Sequence, residues 1–132
     1  MYNTTIEITQ LNMQKSRLAQ IENLNKLNKT KNQFLQILQE PYCFKGTISL
    51  LPQNSKTIPN VRVGLPRAAI TTSNTLNIEE LTAICHGDLA AGLINLNGKQ
   101  TAILSIYLEI NIPPVPEHLI KAITYCLSLI HI

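Results

Sequence analysis

The sequence predicts an α/β fold that mixes parallel and antiparallel strands. A strand-helix-strand pattern over residues 6–39 has the spacing of a βαβ unit, whose two strands are parallel. Two apolar strand candidates at residues 89–96 and 101–108 flank Asn97-Gly98, a strong signal for a tight antiparallel hairpin. Hydrophobic residues make up 45% of the chain and its net charge is only +3, which excludes intrinsic disorder.

The first unit begins with residues 6–11, whose alternating pattern predicts a strand. Ser16 suits a helix N-cap. Apolar residues at helical spacing then predict the inward face of a helix: Leu18, Ile21, Leu24 and Leu27. After the helix, residues 34–38 form an apolar run that predicts a buried strand, interrupted by Gln36 and ended by Pro41.

The rest of the chain predicts short strands and one more helix. The strand candidates are residues 48–51, 61–65, 67–72, 81–85, 89–96 and 101–108, with a loop at 52–60. A Pro-rich turn at 112–116 precedes a helix whose apolar stripe is Leu119, Ile123, Leu127 and Ile130. We predict one domain over residues 1–132 that is cut short at its C-terminus, because no capping signal closes the helix. Residues 127–132 (LSLIHI) are a candidate non-native tail, because they resemble the translation of a common sequencing adapter.

Composition excludes several classes of protein. No run of about 18 apolar residues predicts a membrane span, and the N-terminus lacks the basic and apolar regions of a secretory signal. Three Cys are too few and too scattered for a disulfide framework or a zinc cluster, which predicts an intracellular protein. The chain has a single Asp, Asp88, and no phosphate-binding Gly-rich loop, so a complete hydrolytic constellation is not predicted from the residues alone.

Two polar residues follow the first two strands directly. Asn12 comes after the first strand and Glu40 after the second. If those strands are parallel neighbours, both side chains emerge at the carboxyl edge of one sheet, where open α/β sheets bind ligands. A carboxylate and a carboxamide there could hold a hard divalent cation and orient a phosphate. The alternative is ordinary strand-end and turn chemistry.

Basic residues gather between Lys15 and Lys31. Lys15 and Arg17 could contact nucleic-acid phosphates, or they could belong to the solvated face of a helix. Arg67 precedes a strand candidate and could likewise meet a phosphate or extend along the surface.

Four further residues have functional and structural interpretations. Tyr107, late in a strand, could donate its hydroxyl to a ligand or pack in the core. His86 and Asp88 flank Gly87 in what the sequence predicts to be a turn, with a catalytic His-Asp pair as the less favoured interpretation. His118, at a helix start, is predicted to be solvated.

Several short runs, in order, resemble the endonuclease domains of non-LTR retrotransposons. There a first strand ends in Asn, and a Gln-Glu-Pro motif after the second strand supplies a metal-binding Glu. The matching runs are residues 9–16 (TQLNMQKS), 38–42 (LQEPY), 66–70 (PRAAI), 85–91 (CHGDLAA), 105–108 (SIYL), 113–114 (PP) and 125–126 (YC).

This resemblance implies a DNase I-like fold of the endonuclease/exonuclease/phosphatase superfamily, of which the chain would be the N-terminal half: half of a two-sheet α/β sandwich. It also implies Mg²⁺-dependent hydrolysis of DNA phosphodiesters. Glu40 would be the metal ligand, Asn12 would lie beside the metal and phosphate, and Tyr107 would bind the phosphate through its hydroxyl. The parent protein would nick chromosomal DNA in the nucleus to prime its reverse transcriptase.

One departure from the family limits these expectations. The Asp-x-Asn motif and the later Asp and His of the family have no counterpart in this chain. The sequence therefore predicts that the C-terminal half is missing, that this fragment is inactive alone, and that the strands between residues 67 and 108 expose an apolar face. A non-catalytic α/β binding module and a decayed transposon remnant are the alternatives.

Overall fold

The computed structural model describes residues 5–59, 65–108 and 117–129. Its elements, in chain order, are β1 (Ile6–Asn12), α1 (Arg17–Lys29), β2 (Gln33–Gln39), β3 (Cys43–Phe44), β4 (Thr47–Ile48), β5 (Ser55–Ile58), β6 (Ala68–Ser73), β7 (Ile78–Glu80), β8 (Leu89–Leu96), β9 (Lys99–Ile106) and α2 (Glu117–Leu129). Parallel and antiparallel pairs occur together, as predicted. Residues 61–64 of the predicted strand at 61–65, the Pro-rich turn at 112–116 and Ile130 lie outside the described residues, and Leu65 itself is not part of a strand.

The first sheet has the strand order β1-β2-β6-β5. β1 and β2 are parallel and joined by α1, which confirms the predicted βαβ unit. Their register sets Asn12 opposite Gln39, so both strands end at one edge of the sheet. β6 runs antiparallel to β2 and β5, and β5 lies within the segment 52–60 that was predicted to be a loop.

Helix α1 begins where the sequence predicts but presents a different face to the sheet. The Ser16 Oγ accepts a hydrogen bond of 3.1 Å from the Ala19 N–H, as expected of an N-cap. The buried residues are Gln20, Asn23 and Leu27, whereas Leu18 is 65% exposed. The predicted inward face was therefore right at Leu27 and wrong at Leu18, and Ile21 and Leu24 are only half-buried, because two amide side chains occupy the inner face.

The amide of Asn23 explains the polar residue in β2. Asn23 Nδ2 donates to Gln36 Oε1 at 2.7 Å, and Gln36 Nε2 donates back to Asn23 Oδ1 at 2.9 Å. Both side chains are buried. Because each amide satisfies the other, Gln36 can lie inside an otherwise apolar strand at little cost.

The second sheet has the order β7-β8-β9, and its strands are antiparallel. Asn97 and Gly98 have φ angles of +53° and +81°, which suit the tight turn that the sequence predicts between β8 and β9. The strand predicted at 81–85 was wrong: those residues form a turn, and β7 lies just before them at Ile78–Glu80.

The core fills the space between the two sheets. Leu35 and Ile70 of the first sheet pack with Ala90 and Ile94 of the second, and all four are buried. This two-sheet arrangement, with α1 against the first sheet and α2 against the second, is the layered α/β architecture that the sequence predicts.

Helix α2 covers the outer face of the second sheet with small side chains. Ala122 and Cys126 are its buried residues, and Cys126 packs with Ala91 of β8. Ile123 and Leu127, which the sequence places on the inward stripe, are 47% and 67% exposed. The apolar face that was predicted to be exposed on the strands between residues 67 and 108 is therefore largely covered. Most of the exposed large apolar side chains among the described residues lie outside those strands, including on α2. Neither described helix is long and apolar enough to cross a membrane.

Candidate functional site

The ends of β1 and β2 form one side of the candidate site. Met13 N–H donates to the Gln39 carbonyl at 2.9 Å, and Lys15 N–H donates to the Glu40 carbonyl at 2.8 Å. The chain leaving β1 is thus fastened to the chain leaving β2 by backbone hydrogen bonds. Asn12 and Glu40 consequently lie at the same sheet edge, as the spacing of the strands predicts.

Three of the six described non-Gly residues with positive φ lie at this edge. Glu40 has φ +47°, and across from it Gln14 and Lys15 have φ +51° and +58°. Non-Gly residues in this left-handed region cost about 1–3 kcal/mol each and persist only where the surroundings hold them. Here the Glu40 N–H donates to the Arg67 carbonyl at 2.8 Å, so both backbone groups of Glu40 are fixed. Such clusters of strained residues are typical of functional sites.

A buried polar network lies behind Glu40. Gln39 Nε2 donates to Ser105 Oγ at 3.3 Å, and Ser105 Oγ donates to the Leu38 carbonyl at 2.7 Å. Gln39 and Ser105 are both buried, and Gln10 Nε2 adds a hydrogen bond of 3.2 Å to Gln39 Oε1. This network joins the end of β2 to the end of β9 and thereby brings Tyr107 to the same edge.

Gln20 supports the segment after Glu40 from the helix side. Its side chain is fully buried, and its Oε1 accepts a hydrogen bond of 3.3 Å from the Tyr42 N–H. Its Nε2 has no hydrogen-bond partner among the described residues. Sequence reasoning missed Gln20 because a Gln on an amphipathic helix is ordinarily assigned to the solvated face.

Arg67 joins three parts of the site. Its Nε donates to Asp88 Oδ1 at 2.6 Å and its Nη2 donates to Asp88 Oδ2 at 2.8 Å, a two-pronged ion pair. Its Cζ lies 4.5 Å from the centroid of the Tyr107 ring. The sequence analysis considered Asp88 only as a partner of His86. The one feature of the sequence that could have pointed to the ion pair is that Asp88 is the sole Asp in the chain.

His86 and His118 form a second polar contact beside Asp88. Their ring centroids are 4.4 Å apart at an interplanar angle of 88°, and the Nε2 atoms of both are buried without a partner among the described residues. His118 is therefore packed rather than solvated, contrary to the prediction. His86 Nδ1 accepts a hydrogen bond of 3.1 Å from the Asp88 N–H.

The protonation of His86 follows from these contacts. Burial lowers its pKa, His118 lowers it further, and the Asp88 carboxylate opposes both effects. Because Nδ1 accepts a hydrogen bond, the neutral ring carries its proton on Nε2. The Asp88 carboxylate binds Arg67 instead of orienting His86, so the pair lacks the arrangement of a catalytic His-Asp couple.

The described residues offer oxygen donors for a metal ion. Glu40 is partly buried, and its carboxylate has no hydrogen-bond or ion-pair partner in the described part of the chain. Asn12 Oδ1 accepts from the Gln14 N–H at 2.9 Å and retains a second lone pair. These donors fit Mg²⁺, which proteins bind through one or two carboxylates together with waters and substrate phosphates. No group of three or more His, Cys, Asp or Glu side chains is placed to hold a metal within the described ranges.

The cysteines do not add reactive groups to the site. Burial raises the pKa of the thiols of Cys43, Cys85 and Cys126, which keeps them as thiols and not as the nucleophilic thiolates. No disulfide joins them.

Lys15 and Arg17 lie beside the Glu40 edge on exposed positions. The backbone of Lys15 is held by the Glu40 carbonyl, and Arg17 is the first residue of α1. The backbone contact places Lys15 at the same edge as Asn12 and Glu40, and Arg17 follows two positions later at the start of α1.

No protein-family model matches this chain, and no curated protein sequence matches it. Among solved structures, it matches the endonuclease domain of TRAS1, a telomere-specific non-LTR retrotransposon, with a TM-score of 0.69 and 18% sequence identity. The match covers 96% of this chain and 54% of that chain. The chain has the fold of that endonuclease domain. It spans about half of the length of the solved domain.

This likeness confirms the resemblance to retrotransposon endonuclease domains at the level of fold. The mixed α/β sandwich that the sequence predicts is consistent with the DNase I-like fold of the matched domain. The roles of Asn12, Glu40, Tyr107, Lys15, Arg17 and Arg67, together with the single truncated domain and its tail, stay predictions.

Proposed function

We propose that this chain carries part of the active site of a metal-dependent DNA endonuclease, with Mg²⁺ bound at Glu40. The observation that supports this most directly is the strained edge, where the Glu40 carboxylate, which has no partner among the described residues, lies at the same edge of the sheet as Asn12 and Tyr107. The likeness in fold to a retrotransposon endonuclease domain supports the same conclusion.

The proposed site divides its tasks among four kinds of group. Glu40 supplies the charged ligand, and Asn12 offers its amide oxygen to the metal or donates a hydrogen bond from its amide nitrogen to the metal-bound phosphate. The hydroxyl of Tyr107 donates a hydrogen bond to a phosphate oxygen. Lys15 and Arg17 bind neighbouring phosphates of the DNA backbone. Bound Mg²⁺ would offset the negative charge of the phosphate undergoing attack.

The whole protein would nick chromosomal DNA in the nucleus and so expose the end from which a reverse transcriptase starts. A single protein carboxylate leaves Mg²⁺ mostly hydrated and weakly held. We therefore expect this chain alone to bind Mg²⁺ and DNA but to nick plasmid DNA slowly or not at all. Magnesium-dependent nicking is expected once the other part of the matched fold is supplied.

The metal site is tested by titrating the 132-residue chain with Mn²⁺ as a spectroscopic substitute for Mg²⁺. Glu40→Gln is expected to weaken Mn²⁺ binding by at least about tenfold, since loss of an outer-shell partner alone costs about 10–100-fold. Glu22→Gln, which changes an exposed carboxylate of α1, is the matched control and should leave binding unchanged. Equal affinities for the Glu40 variant and the unaltered chain would contradict the metal site.

The DNA interface is tested by the salt dependence of binding to a short duplex. Each phosphate contact contributes about 0.9 to the slope of log affinity against log salt. Lys15→Gln should reduce that slope by about this amount. Lys26→Gln, an exposed lysine near the other end of α1, should not change it. A slope that falls equally for both variants would show that the Glu40 edge does not face the DNA.

A further inference from the structure

The guanidinium of Arg67 lies between a carboxylate and an aromatic ring. Its two short hydrogen bonds to Asp88, of 2.6 and 2.8 Å, use two neighbouring nitrogens of the group in the parallel, two-pronged geometry. Its central carbon lies 4.5 Å from the Tyr107 ring centroid, within the range of a cation-π contact. The Arg67 and Asp88 side chains are 27% and 20% exposed, so water screens this pair less than a surface pair.

Backbone hydrogen bonds tie the same three segments together. Arg67 N–H donates to the Gly87 carbonyl at 2.6 Å, and Tyr107 N–H donates to the Asp88 carbonyl at 2.9 Å. The Arg67 carbonyl accepts from the Glu40 N–H at 2.8 Å. Arg67 therefore contacts both segments directly: its carbonyl binds the Glu40 N–H, and its guanidinium packs on the Tyr107 ring.

The chemistry of this contact requires a guanidinium. A planar, two-pronged cation can pair with a carboxylate and stack on a ring at the same time, whereas the point charge of a lysine cannot do both. Tyr107 directly follows β9, outside the hydrogen-bonded ladder of that strand. Its backbone is fixed by Asp88, but the direction of its ring depends on the groups packed against it.

We propose that Arg67 is a positioning residue that orients the Tyr107 ring, and with it the phenolic hydroxyl, toward the metal site at Glu40. This role rests on the function proposed above. Asp88 completes the arrangement by holding the guanidinium plane against the ring. Contact between Arg67 and DNA phosphate stays a separate prediction.

The test follows the four tyrosines of the chain by NMR after selective ¹³C labelling and addition of Mn²⁺. Bound Mn²⁺ broadens nearby signals, and the effect falls steeply with distance. Tyr42 lies two positions after Glu40 and reports whether the metal occupies that edge. Tyr107 reports whether its ring points toward the metal, and Tyr125 in α2 reports that the fold is intact.

In the unaltered chain, both Tyr42 and Tyr107 should broaden. Arg67→Lys keeps the positive charge and removes the planar guanidinium, whereas Arg67→Gln removes both. In each variant, the Tyr107 signal should no longer broaden on addition of Mn²⁺, and the Tyr42 signal should still broaden. Asp88→Asn should weaken the Tyr107 effect as well. Arg67→Lys carries the test if Arg67→Gln fails to fold. Lys99→Gln, at the opposite end of β9, is the control and should behave as the unaltered chain.

The outcomes separate the two proposals. Broadening of neither tyrosine in the unaltered chain contradicts the metal site and removes the positioning role with it. Broadening of Tyr42 without Tyr107 overturns the positioning role alone. Tyr107 broadening that survives unchanged in both Arg67 variants also overturns it, because the ring would then keep its direction without the guanidinium.

Discussion

Replacing Asn23 by Leu is expected to destabilise the chain strongly, although it adds apolar volume to the interior. The change removes both hydrogen bonds of the Asn23–Gln36 pair, at 2.7 and 2.9 Å, and leaves the Gln36 amide buried with 4% of its surface exposed. Each stranded polar group costs about 1–3 kcal/mol, so the two ends of the amide together cost about 2–6 kcal/mol. That is a large part of the total stability of about 5–15 kcal/mol that is usual for a domain.

The reciprocal nature of the pair makes this prediction sharper. In the double variant Asn23→Leu with Gln36→Leu, no polar group is stranded, so most of the lost stability should return. Urea unfolding measures the effect: with a slope of about 1–3 kcal/mol per molar urea, a loss of about 3 kcal/mol lowers the midpoint by about 1–3 M.

Asn25→Leu, on the exposed side of the same helix, is the matched control and should shift the stability by less than about 0.5 kcal/mol. If the double variant is as unstable as the sum of the two single variants, the amides do not satisfy each other and the reasoning is refuted.

Two other perturbations test the packing around the site. The free energy of unfolding should fall as the pH drops below about 6.5, because His86 takes up a proton there in the unfolded chain, whereas its lowered pKa keeps it neutral in the folded chain. In His86→Gln this pH dependence should flatten. An unchanged slope would show that another group causes the pH dependence. Gly92→Ala should cost about 1–3 kcal/mol by overpacking, because the added Cβ would lie 2.6 Å from Ile78 Cδ1 and 3.0 Å from Ile58 Cδ1. In an Ile78→Ala background, which lacks both Cδ1 and the Cγ1 atom that would lie 2.8 Å from the added Cβ, Gly92→Ala should cost little, and an unchanged cost in a urea titration would show that the contact is not the cause.

The elements that the sequence predicts best are those whose signals are local. The alternation of β1, the Ser16 cap and the Asn97-Gly98 turn depend on neighbouring residues, and the structure confirms all three. The short strands β5 and β7 were misplaced because strands of three or four residues are defined by their partners in the sheet, which the local pattern does not contain.

The candidate site was predictable only where a strand end fixes it. Asn12 and Glu40 follow from the parallel register of β1 and β2, which the spacing of the βαβ unit implies. The Arg67–Asp88 pair joins residues that are 21 positions apart. Asp88 lies in a turn, and the sequence does not show which strand that turn packs against. The left-handed backbone of Glu40 is likewise imposed by two hydrogen bonds, one that its N–H donates to the Arg67 carbonyl and one that its carbonyl accepts from the Lys15 N–H, and not by its own residue type.

The faces of both helices were predicted only in part, because the hydrophobic period takes no account of the hydrogen-bonding partners or the size of a side chain. In α1, the inner positions hold amides that reach the sheet and satisfy one another or the backbone, so polarity does not mark the outer face. In α2, the inner positions hold Ala122 and Cys126, whose small volumes let the helix approach the sheet closely and leave the larger Ile123 and Leu127 at the solvent. A chain with only 14% charged residues has few unambiguous markers of its outer surface. In such a chain, side-chain size and hydrogen-bonding partners decide which face is buried, and the hydrophobic period alone does not.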